Sequence, residues 1–161
     1  MKKTAILLVI LIAAGMFAWA AGGSEKAFPT PEKPLVLKGG LVAAPNTTQV
    51  KTLQQWSELV KESTKGAVVI EVYPAEQLGN ERTLMENTNL VTIDWTLIGP
   101  SGASRFTPEF GIFENAYTFQ SNKHIANTAF NKEFIDHLSG ILEKKSNLKL
   151  LGFQWFGHRY M

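Results

Sequence analysis

Few residues in this sequence are arranged to make or break a covalent bond. The three histidines, His124, His137 and His158, stand far apart and lack the i, i+4 pairing by which a helix offers two imidazoles to a metal. Cysteine is absent, which excludes disulfide staples, thiolate nucleophiles and thiolate-ligated metals, and leaves stability to a packed core. Glu71 and Glu76 fall on opposite sides of Pro74, with nothing to hold two carboxyls at different pKa values for acid–base work. No phosphate-cradling loop is present, because Gly22-Gly23 lies in a Gly/Pro-rich stretch and Gly99-Pro100-Ser101-Gly102 lacks a closing Lys-Ser/Thr. The residue set indicates binding and not catalysis, with no metal and no cofactor.

The groups that can bind cluster beside chain reversals. Gly99-Pro100-Ser101-Gly102 follows a strand candidate, at the end where α/β sheets form ligand crevices. Its backbone N–H groups and the Ser101 hydroxyl either contact a ligand or belong to an ordinary turn. Glu81 and Arg82 start a short helix. They either line the same crevice or are solvated helix-start charges, Glu81 being well placed against the helix dipole. Val42, Ala43 and Ala44 follow the first strand and form either an apolar wall or part of the core.

The elements that must position these residues read as alternating strand and helix. Leu35–Lys38 and Leu41–Ala43 around Gly39-Gly40 make a first buried strand. Pro45-Asn46-Thr47-Thr48 offers N-cap oxygens to a helix start. Val50, Leu53, Trp56 or Ser57, and Val60 then recur on one helical face until Lys65-Gly66 stops the helix. Ala67–Tyr73 is rich in β-branched residues and reads as a second strand. A short helix carrying Leu84, Met85 and Leu90 leads to a third strand over Val91–Ile98. This order predicts α/β architecture, a parallel-type sheet with helices on both faces. Beyond Pro108, an aromatic cluster of Phe110, Ile112, Phe113, Tyr117 and Phe119 is expected, then helices over His124–Phe130 and Glu133–Lys144. A last strand over Leu148–Phe156, with Gly152 as a bulge, completes the reading.

Charge and composition narrow the function classes. The chain of 161 residues has 16 Lys and Arg against 14 Asp and Glu, and Lys2 and Lys3 account for the surplus. A balanced body lacks the clustered cations that nucleic acid binding needs, and Trp56, Trp95 and Trp155 suit core packing better than base stacking. Residues 1–20 have a basic start, an apolar run and small residues at Ala18 and Ala20, the pattern of a secretory signal peptide. The run extends about 17 residues, short of the ~20 that span a bilayer, although an uncleaved anchor stays open. Residues 21–34 read as a flexible tether and 35–161 as one α/β lobe.

Several ordered blocks resemble the substrate-binding proteins of TRAP transporters, the DctP family. They are Trp56–Gly66, the strand, proline and Gln-Leu-Gly turn of Ile70–Arg82, Thr92–Trp95, Pro108–Phe113, Leu150–Phe153 and Gly157-His158-Arg159. The resemblance implies a periplasmic protein of two α/β domains that closes on a small organic acid and delivers it to a TRAP membrane permease. This chain would supply the first lobe of such a two-lobed protein, with the hinge and second lobe missing. It also implies that Arg159 holds the ligand carboxylate, since a planar guanidinium fork matches both oxygens bidentately. Two positions depart from the pattern: Val91 stands where the family usually has glycine, and Ala116-Tyr117 stand where it has Pro-Phe. A secreted sensing or interaction module, or an inactive fragment, is the competing reading. If Arg159 has the implied role, Arg159→Lys in the two-lobed protein lowers affinity for the acid more than tenfold, about 1.4 kcal/mol. Unchanged affinity in calorimetry removes Arg159 from the site.

Overall fold

The computed structural model describes residues 28–155. The leader, tether residues 21–27, Phe156 and Arg159 lie outside them. Three strands, β1 (Leu35–Leu41), β2 (Val68–Tyr73) and β3 (Trp95–Leu97), form a parallel sheet in the order β2-β1-β3. Helix α1 (Thr48–Ser63) connects β1 to β2, and α2 (Glu81–Asn89) connects β2 to β3. Then follow a short helix α3 (Pro100–Ser104), a 3₁₀ segment (Pro108–Phe113), α4 (Asn122–Ala129) and α5 (Lys132–Lys145). The two crossover helices cover opposite faces of the sheet, as the alternation in the sequence requires. Among the described residues no helix is long and apolar enough to cross a membrane.

The central strand can be covered on both sides because it contains two successive glycines, which face opposite ways. A Cβ on Gly39 would lie 2.0 Å from the Trp95 carbonyl oxygen and 2.4 Å from the Trp95 indole. On the other face, a Cβ on Gly40 would lie 2.8 Å from the Tyr73 carbonyl oxygen and 3.4 Å from Leu84. The Trp95 ring therefore lies across Gly39, where Trp56 of α1 meets it edge-on with centroids 5.8 Å apart. Leu41, Val50 and Leu84 are almost completely buried around this centre. Burying each contributes about 1.5–3 kcal/mol relative to leaving it exposed.

α1 also closes the outer edge of β2. Its Ser57 hydroxyl donates to the Ile70 carbonyl at 2.6 Å, and Thr64 Oγ1 accepts the Val68 N–H at 3.1 Å. These hydroxyls occupy backbone groups that an edge strand otherwise presents to another chain. A second apolar cluster joins Met85 and Ala103 to Phe110, Leu138, Leu142 and Leu148, with Phe113, Phe134 and Phe153 packed against it.

Several expectations need correction. β1 runs unbroken through Gly39-Gly40, but only its second half is buried, Leu35 and Val36 being exposed. Thr47 is the N-cap of α1 without capping it, because its hydroxyl donates to the Ala44 carbonyl at 2.9 Å. β3 begins at Trp95 and not Val91, since Val91 sits in a left-handed turn after α2 with φ 59°. Leu90 caps α2 and is exposed; Ile112 and Tyr117 stand outside the aromatic cluster, Tyr117 being 98% exposed. No strand forms over 148–155. Side chains from elsewhere take two N–H groups a ladder would use, Ser139 Oγ accepting from Leu150 and Ser146 Oγ from Leu148, while Asn89 Oδ1 accepts from Asn147 just before the stretch. Of the stretch read as tether, Thr30 and Lys33 close a tight turn through reciprocal backbone hydrogen bonds.

Val91 explains itself as a strained position. A left-handed backbone costs an L-residue about 1–2 kcal/mol, and Val91 is 70% exposed, so little packing compensates. Glycine removes the strain while making the unfolded chain less ordered. Val91→Gly is expected to raise the thermal midpoint by about 2–4 °C. An unchanged or lower midpoint in a calorimetric scan contradicts the strain.

Candidate functional site

Because all three strands run parallel, their carboxyl ends share one edge of the sheet. Val42 leaves β1 there, Pro74 to Glu76 leave β2, and Ile98 to Gly102 leave β3. β1 lies between the other two, so the chain passes from one side of it to the other, and such a reversal opens a crevice. An open cleft of about 500 Å³ occupies this edge. Val42 and Glu76 form one side, Asn80 to Arg82 with Met85 and Glu86 the second, and Ser101, Gly102, Arg105 and Phe106 the third. A larger depression of about 600 Å³ lies on the outer face of α1 around Gln55, Glu58 and Leu59. It is a shallow surface of a single helix, whereas the cleft draws on every strand end.

Glu81 joins two walls of the cleft. Asn80 begins α2 by accepting the Thr83 N–H at 3.0 Å, which points the first helical residue toward the end of β3. Glu81 Oε1 there accepts the Gly99 N–H at 2.5 Å. Gly102 makes the approach possible, since a Cβ would lie 2.9 Å from Ile98 Cδ1 and 3.4 Å from Glu81 Cγ. Gly99-Pro100-Ser101-Gly102 is therefore a helix opening and not a simple turn, with Gly99 as N-cap and Pro100 at the first helical position.

The two arginines of the cleft differ in availability. Arg82 Nε donates to Glu86 Oε1 at 2.8 Å, and this hydrogen bond raises the already high guanidinium pKa. Arg105 follows α3 at the cleft wall, and among the described residues its side chain has neither a hydrogen bond nor an ion pair. It is the open cation of the site. Beside the cleft, Tyr73 donates to Glu71 Oε2 at 2.7 Å, and that hydrogen bond holds the Tyr73 phenol above its ordinary pKa.

Of the residues the sequence nominated, Glu81, Arg82 and Ser101 line the cleft. Gly99 stands behind it with its N–H already taken by Glu81, and Pro100 has no N–H to offer. Ala43 is half-buried and its carbonyl accepts the Ala75 N–H at 2.9 Å, tying the ends of β1 and β2 together. Val42 provides the apolar wall instead. Arg159 lies outside the described residues. Arg105 was missed; its signal was Gly99-Pro100, read as a turn although proline at a helix start would carry the arginine back along the cleft. No group of metal-ligating side chains occurs among the described residues.

The family model for bacterial extracellular solute-binding proteins, family 7, DctP, matches residues 39–161. The chain belongs to this family. Its members are binding proteins and not enzymes. A solute-binding protein of Sulfitobacter sp. strain NAS-14.1 is 27% identical over 131 residues, 81% of this chain and 39% of that protein. The C4-dicarboxylate-binding periplasmic protein DctP of Rhodobacter capsulatus is 33% identical over 96 residues, 57% of this chain and 28% of that protein. A TRAP periplasmic solute-binding protein of Desulfovibrio desulfuricans, solved with bound sn-glycerol-3-phosphate, superposes with a TM-score of 0.66 at 22% identity. That superposition covers 73% of this chain and 39% of the other, and it shows a shared lobe fold. The chain thus spans about two fifths or less of the length of these relatives.

Glu81→Ala removes the acceptor of the Gly99 N–H. Amide exchange at Gly99 is expected to accelerate by about tenfold, the loss of a hydrogen bond to a charged group worth about 1.5 kcal/mol. Unaltered protection at Gly99 means that Glu81 does not hold the two walls together.

Proposed function

We propose that this chain supplies one lobe of an exported solute-binding protein that captures a small organic acid and delivers it to a TRAP membrane permease. Membership of the solute-binding family supports the binding role, and the ligands of two relatives, a C4-dicarboxylate and sn-glycerol-3-phosphate, are both organic anions. The basic and apolar leader at residues 1–20 supports export to the periplasm. The observation that carries the reading is Arg105, an unpaired guanidinium at a crevice formed by all three strand ends.

In this reading the carboxylate rests against Arg105, whose fork of donors suits two oxygens better than a point charge does. Arg159 supplies a second cationic contact, and the apolar Val42 and Phe106 surfaces flank the ligand body. A single lobe leaves the ion pair in contact with water, where effective screening keeps the attraction small. Binding by this chain alone is accordingly weak, and closure of a second lobe over the anion would strengthen it.

Titration of the chain with butyrate, followed by amide chemical shifts, tests the assignment. Shifts are expected to concentrate at Ser101–Phe106, with a dissociation constant in the millimolar range. Arg105→Ala is expected to weaken binding at least fivefold and Arg105→Lys to recover it only in part. Equal affinity in all three proteins excludes Arg105 as the anion contact.

A further inference from the structure

The charges around the cleft specify more than an anion. Arg82 and Glu86 neutralise one another at 2.8 Å, which leaves Arg105, Glu76 and Glu81 as the other charged residues lining the cleft. Glu76 is exposed in the turn after β2. Glu81 is half-buried and held in place, one carboxylate oxygen accepting the Gly99 N–H and the other without a partner among the described residues. A carboxylate accepts hydrogen bonds and donates none. Its neighbour across the cleft, Ser101, is exposed and has a hydroxyl that both donates and accepts.

Resting on the anion-binding reading above, we propose that Glu81 selects the ligand's second functional group: a monoanion carrying a hydrogen-bond donor, hydroxyl or ammonium, and not a dicarboxylate. The acid end of such a ligand meets Arg105. Its donor end meets the free oxygen of Glu81, where a second carboxylate would stand beside a fixed like charge and lack the proton Glu81 requires. Like charges placed together are a common means of rejecting a near-isosteric competitor. Gly102 contributes by letting α3 pack closely against the Glu81 side chain.

Four acids with the same four-carbon backbone isolate the effect: butyrate, 4-hydroxybutyrate, 4-aminobutyrate and succinate. They are titrated into the chain and into Glu81→Gln, whose amide oxygen still accepts the Gly99 N–H; amide exchange at Gly99 reports that the wall is intact. Butyrate tests the Arg105 reading alone. The expected result is that 4-hydroxybutyrate or 4-aminobutyrate binds more tightly than butyrate, and succinate at least tenfold more weakly than the better of those two. In Glu81→Gln the difference between that ligand and succinate is expected to fall below threefold, and a preference for 4-aminobutyrate over 4-hydroxybutyrate identifies ammonium as the donor. Succinate binding as well as the donor-bearing acids overturns the proposal, as does an unchanged difference in Glu81→Gln, while butyrate still binding leaves the Arg105 reading standing. Failure of all four acids to perturb the cleft removes both.

Discussion

No side chain larger than hydrogen can occupy positions 39 and 40 without pushing the sheet apart. The middle strand of a three-stranded parallel sheet has neighbours on both edges and helices on both faces, and here its two central residues meet a backbone carbonyl on each side. Glycine in a strand normally weakens it by giving up packing and adding unfolded-state entropy. In this chain that loss is offset by letting the Trp95 indole pack against the strand, where Trp56 meets it in a T-shaped contact. The close approach of β1 and β3 that results is also what brings the ends of the strands into one crevice. Lys38 and Asp94 fasten the same pair, the Lys38 N–H donating to the Asp94 carboxylate and the Asp94 N–H to the Lys38 carbonyl, both at 2.7 Å.

A similar economy of side chains shapes the cleft. Gly102 lets α3 approach α2, and Gly99 places an N–H where the Glu81 carboxylate can take it. Glu81 consequently has two roles, as a strut between walls and as an acceptor facing the cavity. Arg82 is held by Glu86, so Arg105 alone among the described cleft residues offers an uncommitted positive charge. An acid drawn into this space meets attraction at one wall and a fixed acceptor at another. Affinity and selectivity thereby reside on different residues.

The parts of the fold that rest on periodicity were legible in the sequence. β2 follows from Val68, Val69, Ile70 and Val72, and α1 and α5 from apolar spacing, with Lys65-Gly66 ending α1. The parallel direction and the placing of helices on both faces followed from the alternation of elements; the strand order β2-β1-β3 is seen only in the structure. What misled was competition between local rules and tertiary contacts. The β-branched run from Val91 suggested an early start to β3, yet Val91 occupies a left-handed turn that the return from α2 demands. Leu148–Trp155 has strand composition, but the Leu148 and Leu150 N–H groups are taken by the Ser146 and Ser139 hydroxyls, and Asn89 holds the Asn147 N–H just before it. The Thr47 hydroxyl, instead of accepting an N–H of the first helical turn, donates to the Ala44 carbonyl. In the site, the nomination of Glu81 and Ser101 came from chain order alone. Arg105 stayed hidden because Gly-Pro announces both turns and helix starts, and only the helix brings the arginine to the cleft.

The central claim is that the strand-end cleft holds an organic anion by the Arg105 guanidinium. Its most direct test is a crystal structure of the protein grown with 4-hydroxybutyrate. The account predicts the carboxylate within hydrogen-bond distance of Arg105 and the hydroxyl within hydrogen-bond distance of Glu81. Density for the acid on another surface, with the cleft filled only by water, would contradict it.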